Sequence, residues 1–169
     1  MRRWLDFLYD AAAWLAALAM VGVLLMVLLS IISRQVGFHV PGTDAYAGYS
    51  MAAAGFLALA HTLKRNEHIR VTLVLGRLKG RARHAMEMWA HSAGVLLAGL
   101  FAFYSVRLAW QSRTMNDIST GNDATPLWIP QIAMALGTVI LLIALIDEWV
   151  LELRGRRQAA DSDEALHNE

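Results

Sequence analysis

His61 and His91 each stand about one turn from the facing ends of two long uncharged runs. Two imidazoles at one depth on neighbouring helices can hold a haem between them, so one chemistry open to this chain is that of a small b-type membrane cytochrome. The same side chains can also hydrogen-bond to backbone, to each other or to water near an interface, where that costs little. Other chemistries are excluded more firmly. The chain has no cysteine, which removes disulfides, thiolate nucleophiles and zinc–thiolate centres. No acidic residue sits in the middle of any uncharged run, as a proton-coupled carrier or a cation exporter would require. Ala11–Ser33 in particular lacks the buried acid expected in the first helix of a four-helix multidrug exporter. The sequence therefore predicts no enzyme, no catalytic residue, no metal site and no cofactor, and a chain that does not carry a substrate alone.

The densest group of polar side chains is Lys64-Arg65-Asn66-Glu67-His68-Ile69-Arg70. Its basic residues suit a stop-transfer cluster at the end of a membrane segment. Charge topology does not account for Glu67 and His68. With Arg65 and Arg70 these two are expected to form an ion-paired, hydrogen-bonded collar where the chain leaves the membrane, in reach of lipid phosphate.

The elements that position these groups follow from composition. Hydrophobic residues make up 57% of the chain and charged residues 17%, against an apolar share of about 45–50% in soluble domains. The mean hydropathy is +0.41. Four uncharged spans stand between the charges, Ala11–Ser33, Ala45–Leu63, Met88–Val106 and Ala124–Ile146. Each is close to the roughly 20 residues that cross a hydrocarbon core. The sequence predicts an all-α integral membrane protein, one domain over residues 1–155, with transmembrane helices at about 11–33, 45–63, 88–106 and 126–149. A polar tail, 156–169, is expected to be disordered. The first span is too long for a signal-peptide core and its small residues come early, so it is expected to be retained as an anchor.

Lys and Arg divide unequally between the two sides. Twelve (Arg2, Arg3, Lys64, Arg65, Arg70, Arg77, Lys79, Arg81, Arg83, Arg154, Arg156, Arg157) fall on one side and three (Arg34, Arg107, Arg113) on the other. By the positive-inside rule both termini and the middle connection are cytoplasmic. Within that connection Val71, Val74, Leu75 and Leu78 recur at helical spacing with Arg70, Arg77 and Arg81 on another face. This predicts a short amphipathic helix lying in the interface between helices two and three, with Arg77 near lipid head groups. On the opposite side the longest loop, from Arg107 to Pro130, carries Trp110, Arg113, Asp117 and Asp123, which are expected to be open to contact with a protein on that side. Small residues recur along helix two (Gly48, Ala52, Gly55, Ala58, Ala60) and helix three (Gly94, Ala98, Ala102). Such rows let helix backbones approach closely in lipid, and they point to a second membrane polypeptide.

Three stretches resemble a known family: Ile32-Ser33-Arg34-Gln35, Leu63 through Val71, and Thr125-Pro126-Leu127-Trp128-Ile129-Pro130 leading to Gly137. Over about Leu5 to Leu153 the chain is similar to the small membrane subunit, the DctQ-type component, of tripartite ATP-independent periplasmic (TRAP) transporters. Glu67-His68-Ile69-Arg70-Val71 is the most specific match. Asn66 stands where the family often has Gly, Thr72 where it often has Asp, and Thr43-Asp44-Ala45 where it often has a Trp and a Glu. The resemblance implies a bacterial inner-membrane, multi-pass subunit of a secondary transport system. A periplasmic binding protein delivers an organic acid, a large membrane subunit imports it on an ion gradient, and the small subunit scaffolds the large one. Arg34, Asp44, Arg65, Glu67, His68, Arg70 and Arg77 would then contact partner or lipid. No nucleic acid is implied. An assembly subunit of another membrane complex is the remaining alternative beside the cytochrome.

Overall fold

The computed structural model of the chain describes residues 2–38, 40–64 and 81–153. These form four α-helices, α1 (Arg2–Val36), α2 (Thr43–Lys64), α3 (Arg81–Thr114) and α4 (Trp128–Leu153). Among the described residues the only extended pairing is an isolated antiparallel bridge, Ile118 to Pro126. The predicted interfacial helix and the polar tail lie outside the described residues.

Helix ends are set by local chemistry. Gly37, at φ 74°, terminates α1, and the Phe38 amide reaches back to the Ser33 carbonyl at 2.9 Å. Asn116, at φ 54°, does the same for α3, with the Asp117 amide donating to the Ser112 carbonyl at 2.9 Å. Both are left-handed caps that satisfy the last carbonyls. The second corrects the sequence reading. Arg107 does not end the third helix, which runs on to Thr114, so Trp110 and Arg113 are helical and only residues 115–127 form the loop. A charge at an interface is compatible with helix; a residue that admits positive φ is what stops it.

Three helices are long and apolar enough to cross a membrane: Trp4–Val36, Met88–Thr114 and Trp128–Leu151, at mean hydropathies of 2.9, 1.6 and 2.4. The other, α2, is less apolar because it carries Tyr46, Tyr49, Ser50, His61 and Thr62. It is an interior helix, packed on α1 along one face and on α4 along another, while α4 in turn packs on α3. The helices thus follow the order α1, α2, α4, α3. The start of α1 and the ends of α2 and α4 meet at one end, where Tyr9, Ala60 and Ala144 are buried with Leu5, Leu63 and Ile140 around them. This is the terminal end. The opposite one, where α1 turns into α2 and α3 into α4, is the loop end.

The distribution of side chains is inverted relative to a water-soluble bundle. Buried positions are mostly small or hydroxylic, among them Ala54, Ala60, Ala98, Ala102, Ala144, Ser105, Ser112 and Thr138. Large apolar side chains such as Leu24, Leu25, Leu96, Leu97, Phe103 and Leu136 face outward. Lipid tails solvate leucine as well as a core does, so helices associate there through small residues. The tightest approach is Gly137 of α4 against Phe56 of α2, where a Cβ on the glycine would lie 2.5 Å from the Phe56 carbonyl carbon and oxygen. Gly94 and Gly99 admit Leu145 and Leu142 in the same way at longer range. The Gly94, Ala98, Ala102 row is therefore used inside the chain. Gly48, Ala52 and Gly55 of α2 are exposed instead.

Candidate functional site

The loop end concentrates the described polar contacts. Thr43, buried, and Asp44 stand at the start of α2, and the turn before it rests on Gly42 at φ 83°. A Cβ at Gly42 would come within 2.9 Å of the Asp123 Cβ, so the glycine lets the second loop lie on the first. Asp44 faces Arg34 at 3.9 Å, both side chains largely exposed, and accepts a long 3.4 Å hydrogen bond from the Ser30 hydroxyl. Between them the first connection, the start of α2 and Gly121-Asn122 enclose a cavity of about 230 Å³.

Asp123 ties the other loop down. Its carboxylate accepts from the Tyr49 hydroxyl at 2.9 Å and from the Ser119 hydroxyl at 2.8 Å. Thr125 donates to the Tyr46 hydroxyl at 3.2 Å, and the two tyrosine rings meet edge to face at 6.2 Å. Backbone bonds from Ser119 to the Thr125 carbonyl and from Leu127 to the Asp117 carbonyl close residues 117–127 into a compact hairpin. Desolvation alone would raise the Asp123 carboxyl. Hydrogen bonds from Ser119, Thr125 and Tyr49, with its own backbone, outweigh that and hold it at about 2.

Of the residues expected to act outside, Asp123 is therefore a brace within the chain. Arg113 places its guanidinium 5.2 Å from the centre of the Trp128 ring, joining the end of α3 to the start of α4. Asp117 is exposed and contributes its backbone to the hairpin, while Trp110 projects from α3, 69% exposed. Arg34 and Asp44 are brought together as one feature. Arg65, Glu67, His68, Arg70 and Arg77 lie outside the described residues. Sequence reading missed Tyr46, Tyr49, Ser30 and Ser119, whose partners sit on other elements with no local motif to reveal them.

At the terminal end His61 turns toward α1, with its Nδ1 3.8 Å from an Asp10 carboxylate oxygen. His91 is on α3, and α4 stands between α2 and α3. In that order the two imidazoles stand on helices with α4 between them, which does not favour the facing pair that a bis-histidine haem needs. Among the described residues no group of three or more His, Cys, Asp or Glu is arranged to hold a metal ion.

What remains is a helical bundle braced on itself at the loop end. Residues 23–155 match the family model described as tripartite ATP-independent periplasmic transporters, DctQ component. The chain belongs to that family. The match runs from the middle of α1 to just beyond α4, so it takes in both loops and the whole Gly137 contact. No curated protein matches the chain. As a DctQ component the protein is a membrane part of a transporter, and three of its described helices have the length and apolarity to cross a membrane.

Proposed function

We propose that this chain is the small permease subunit of a TRAP-type secondary transporter. It scaffolds the large membrane subunit that imports an organic acid, delivered by a periplasmic binding protein and driven by an ion gradient. The observation that carries this reading is the inverted packing: a bundle held together by alanine and glycine, covered by large apolar side chains, and belonging to a transporter family. Lacking a mid-span acid or a broken helix among its described residues, it offers no ion or substrate site of its own there, so its contribution is mechanical.

In this reading all four helices cross the inner membrane with both termini cytoplasmic. At 22 residues, α2 spans about 33 Å at 1.5 Å per residue. Flanked by α1 and α4, it lies in the same layer as two helices long and apolar enough to cross. The terminal end then faces the cytoplasm and the loop end the periplasm, as the distribution of Lys and Arg requires. Reporter fusions test this directly. A reporter active only in the periplasm should be active when fused after Thr120 and silent after Arg156; the opposite pattern would reject the orientation.

Affinity purification of the tagged chain from cells expressing the whole transport system should bring down a large hydrophobic subunit in fixed ratio. Changing Glu67 and His68 together to alanine should reduce that yield and the uptake of substrate. Unchanged yield and uptake would remove the collar from the proposal, and no large subunit with the wild-type chain would remove the scaffold.

A further inference from the structure

We propose that the loop-end cavity binds the headgroup of a zwitterionic, amine-bearing phospholipid of the phosphatidylethanolamine type, with its phosphate on Arg34 and its ammonium on Asp44. The cavity, about 230 Å³, is lined by Ser30, Arg34, Thr43, Asp44 and the backbone around Gly42 and Gly121. That volume is smaller than a pocket for a drug-sized ligand and suits a small polar group. Its lining carries one cation and one anion, so a zwitterion enters it without leaving an unbalanced charge.

The two charges are poised to be separated. At 3.9 Å the Arg34–Asp44 pair is beyond hydrogen-bond reach and both partners are mostly exposed. Such pairs contribute little, so opening one costs little. A guanidinium offers a planar fork that fits phosphate oxygens, and a carboxylate accepts from a primary ammonium. The Ser30 hydroxyl, 3.4 Å from the Asp44 carboxylate, lines the same cavity.

The surface leading to the cavity suits acyl chains. Val27 and Ile31 of α1 are exposed, and with Arg34 they fall at i, i+4 and i+7, which places them on one helix face. An apolar track on an outer helix of the bundle therefore ends at the guanidinium, as a lipid tail ends at its phosphate.

The inference uses the reading that the loop end sits at a membrane–water interface, which the reporter fusions test independently. The purified chain, solubilised with an equimolar mixture of phosphatidylethanolamine, phosphatidylcholine and phosphatidylglycerol, is analysed by native mass spectrometry. Phosphatidylethanolamine should be retained several-fold over both others. Phosphatidylcholine has no N–H to donate to Asp44, and phosphatidylglycerol brings uncompensated negative charge. Arg34→Ala and Asp44→Ala should each abolish the preference, while Arg34→Lys keeps part of it; helical circular dichroism and elution volume establish that each variant is folded. Equal retention of the three lipids, a preference for phosphatidylglycerol, or a preference that survives in the double alanine variant would overturn the proposal.

Discussion

Gly137→Ala should destabilise the isolated subunit by about 1–3 kcal/mol, the usual cost of forcing extra atoms into a packed contact, and Gly137→Leu should prevent the bundle from forming. A Cβ at this position would lie 2.5 Å from both the carbonyl carbon and the carbonyl oxygen of Phe56 and 2.8 Å from its Cβ. Backbone cannot rotate aside as a flexible side chain can, so α2 and α4 must separate. That separation spreads to neighbouring contacts, because Phe56 also packs on Phe101 of α3 at 5.9 Å between ring centres. The control is built into the same chain. Gly48 and Gly55 of α2 have nothing within 4 Å of a built Cβ. Alanine there removes the cost of glycine in a helix, about 0.5–1 kcal/mol, and should stabilise the detergent-solubilised subunit slightly. Thermal unfolding in detergent, followed by circular dichroism or by loss of the monodisperse elution peak, reads both signs. Gly137→Ala melting with the wild type would show that the helices tolerate separation and that this contact does not fix the fold.

The contrast between these glycines also marks where sequence reading ends. Charge-free runs gave the approximate positions of the four described helices, because in lipid every charge within a span is costly and every backbone group must be bonded within its own helix. The same reasoning ended the third helix too early, at Arg107, because it treated the first charge as a terminus. The helix ends where Asn116 accepts positive φ. Small residues marked α2 and α3 as helices that approach others, yet the pattern alone could not say which face meets which helix. Gly94, Ala98 and Ala102 turn inward, Gly48 and Gly55 turn outward, and the closest contact comes from Gly137. That assignment depends on the order α1, α2, α4, α3, which places the fourth helix between the second and the third. The order also weakens the apparent pairing of His61 with His91, since α2 and α3 each pack mainly on α4 rather than on each other. At the loop end, Arg34 and Asp44 were legible as individual residues. Asp123 was legible as a loop acid, but its bond to Tyr49, 74 positions away, was not, because Tyr49 is ordinary in its own segment.

Asp123→Ala should free the 117–127 hairpin from α2 while leaving the helices intact. One carboxylate receives both the Tyr49 hydroxyl and the Ser119 hydroxyl, and it also sits against Gly42 of the first connection. Removing it leaves α2 and the hairpin without their shared acceptor. The chain contains no cysteine, so a single Thr120→Cys, at an exposed position, gives a clean site for a spin label. Its spectrum should sharpen markedly in the Asp123→Ala background and to a similar extent in Tyr49→Phe, with little added in the double variant, because both changes break one interaction. The pH dependence has a definite sign. The ordinary value for the carboxyl is 3.8 and the folded value about 2, so the folded hairpin favours the ionised form. Its contribution is complete above about pH 4, declines as the unfolded form begins to take up protons, and is lost as pH falls through about 2. Label mobility should therefore be flat from neutral pH down to about 4 and rise below it in the wild type. Asp123→Asn, which keeps an acceptor oxygen without the charge, should lack that acid-dependent rise. An immobile label in Asp123→Ala, or an equal acid response in Asp123→Asn, would assign the brace to the Thr125–Tyr46 contact and the backbone bonds of the hairpin instead.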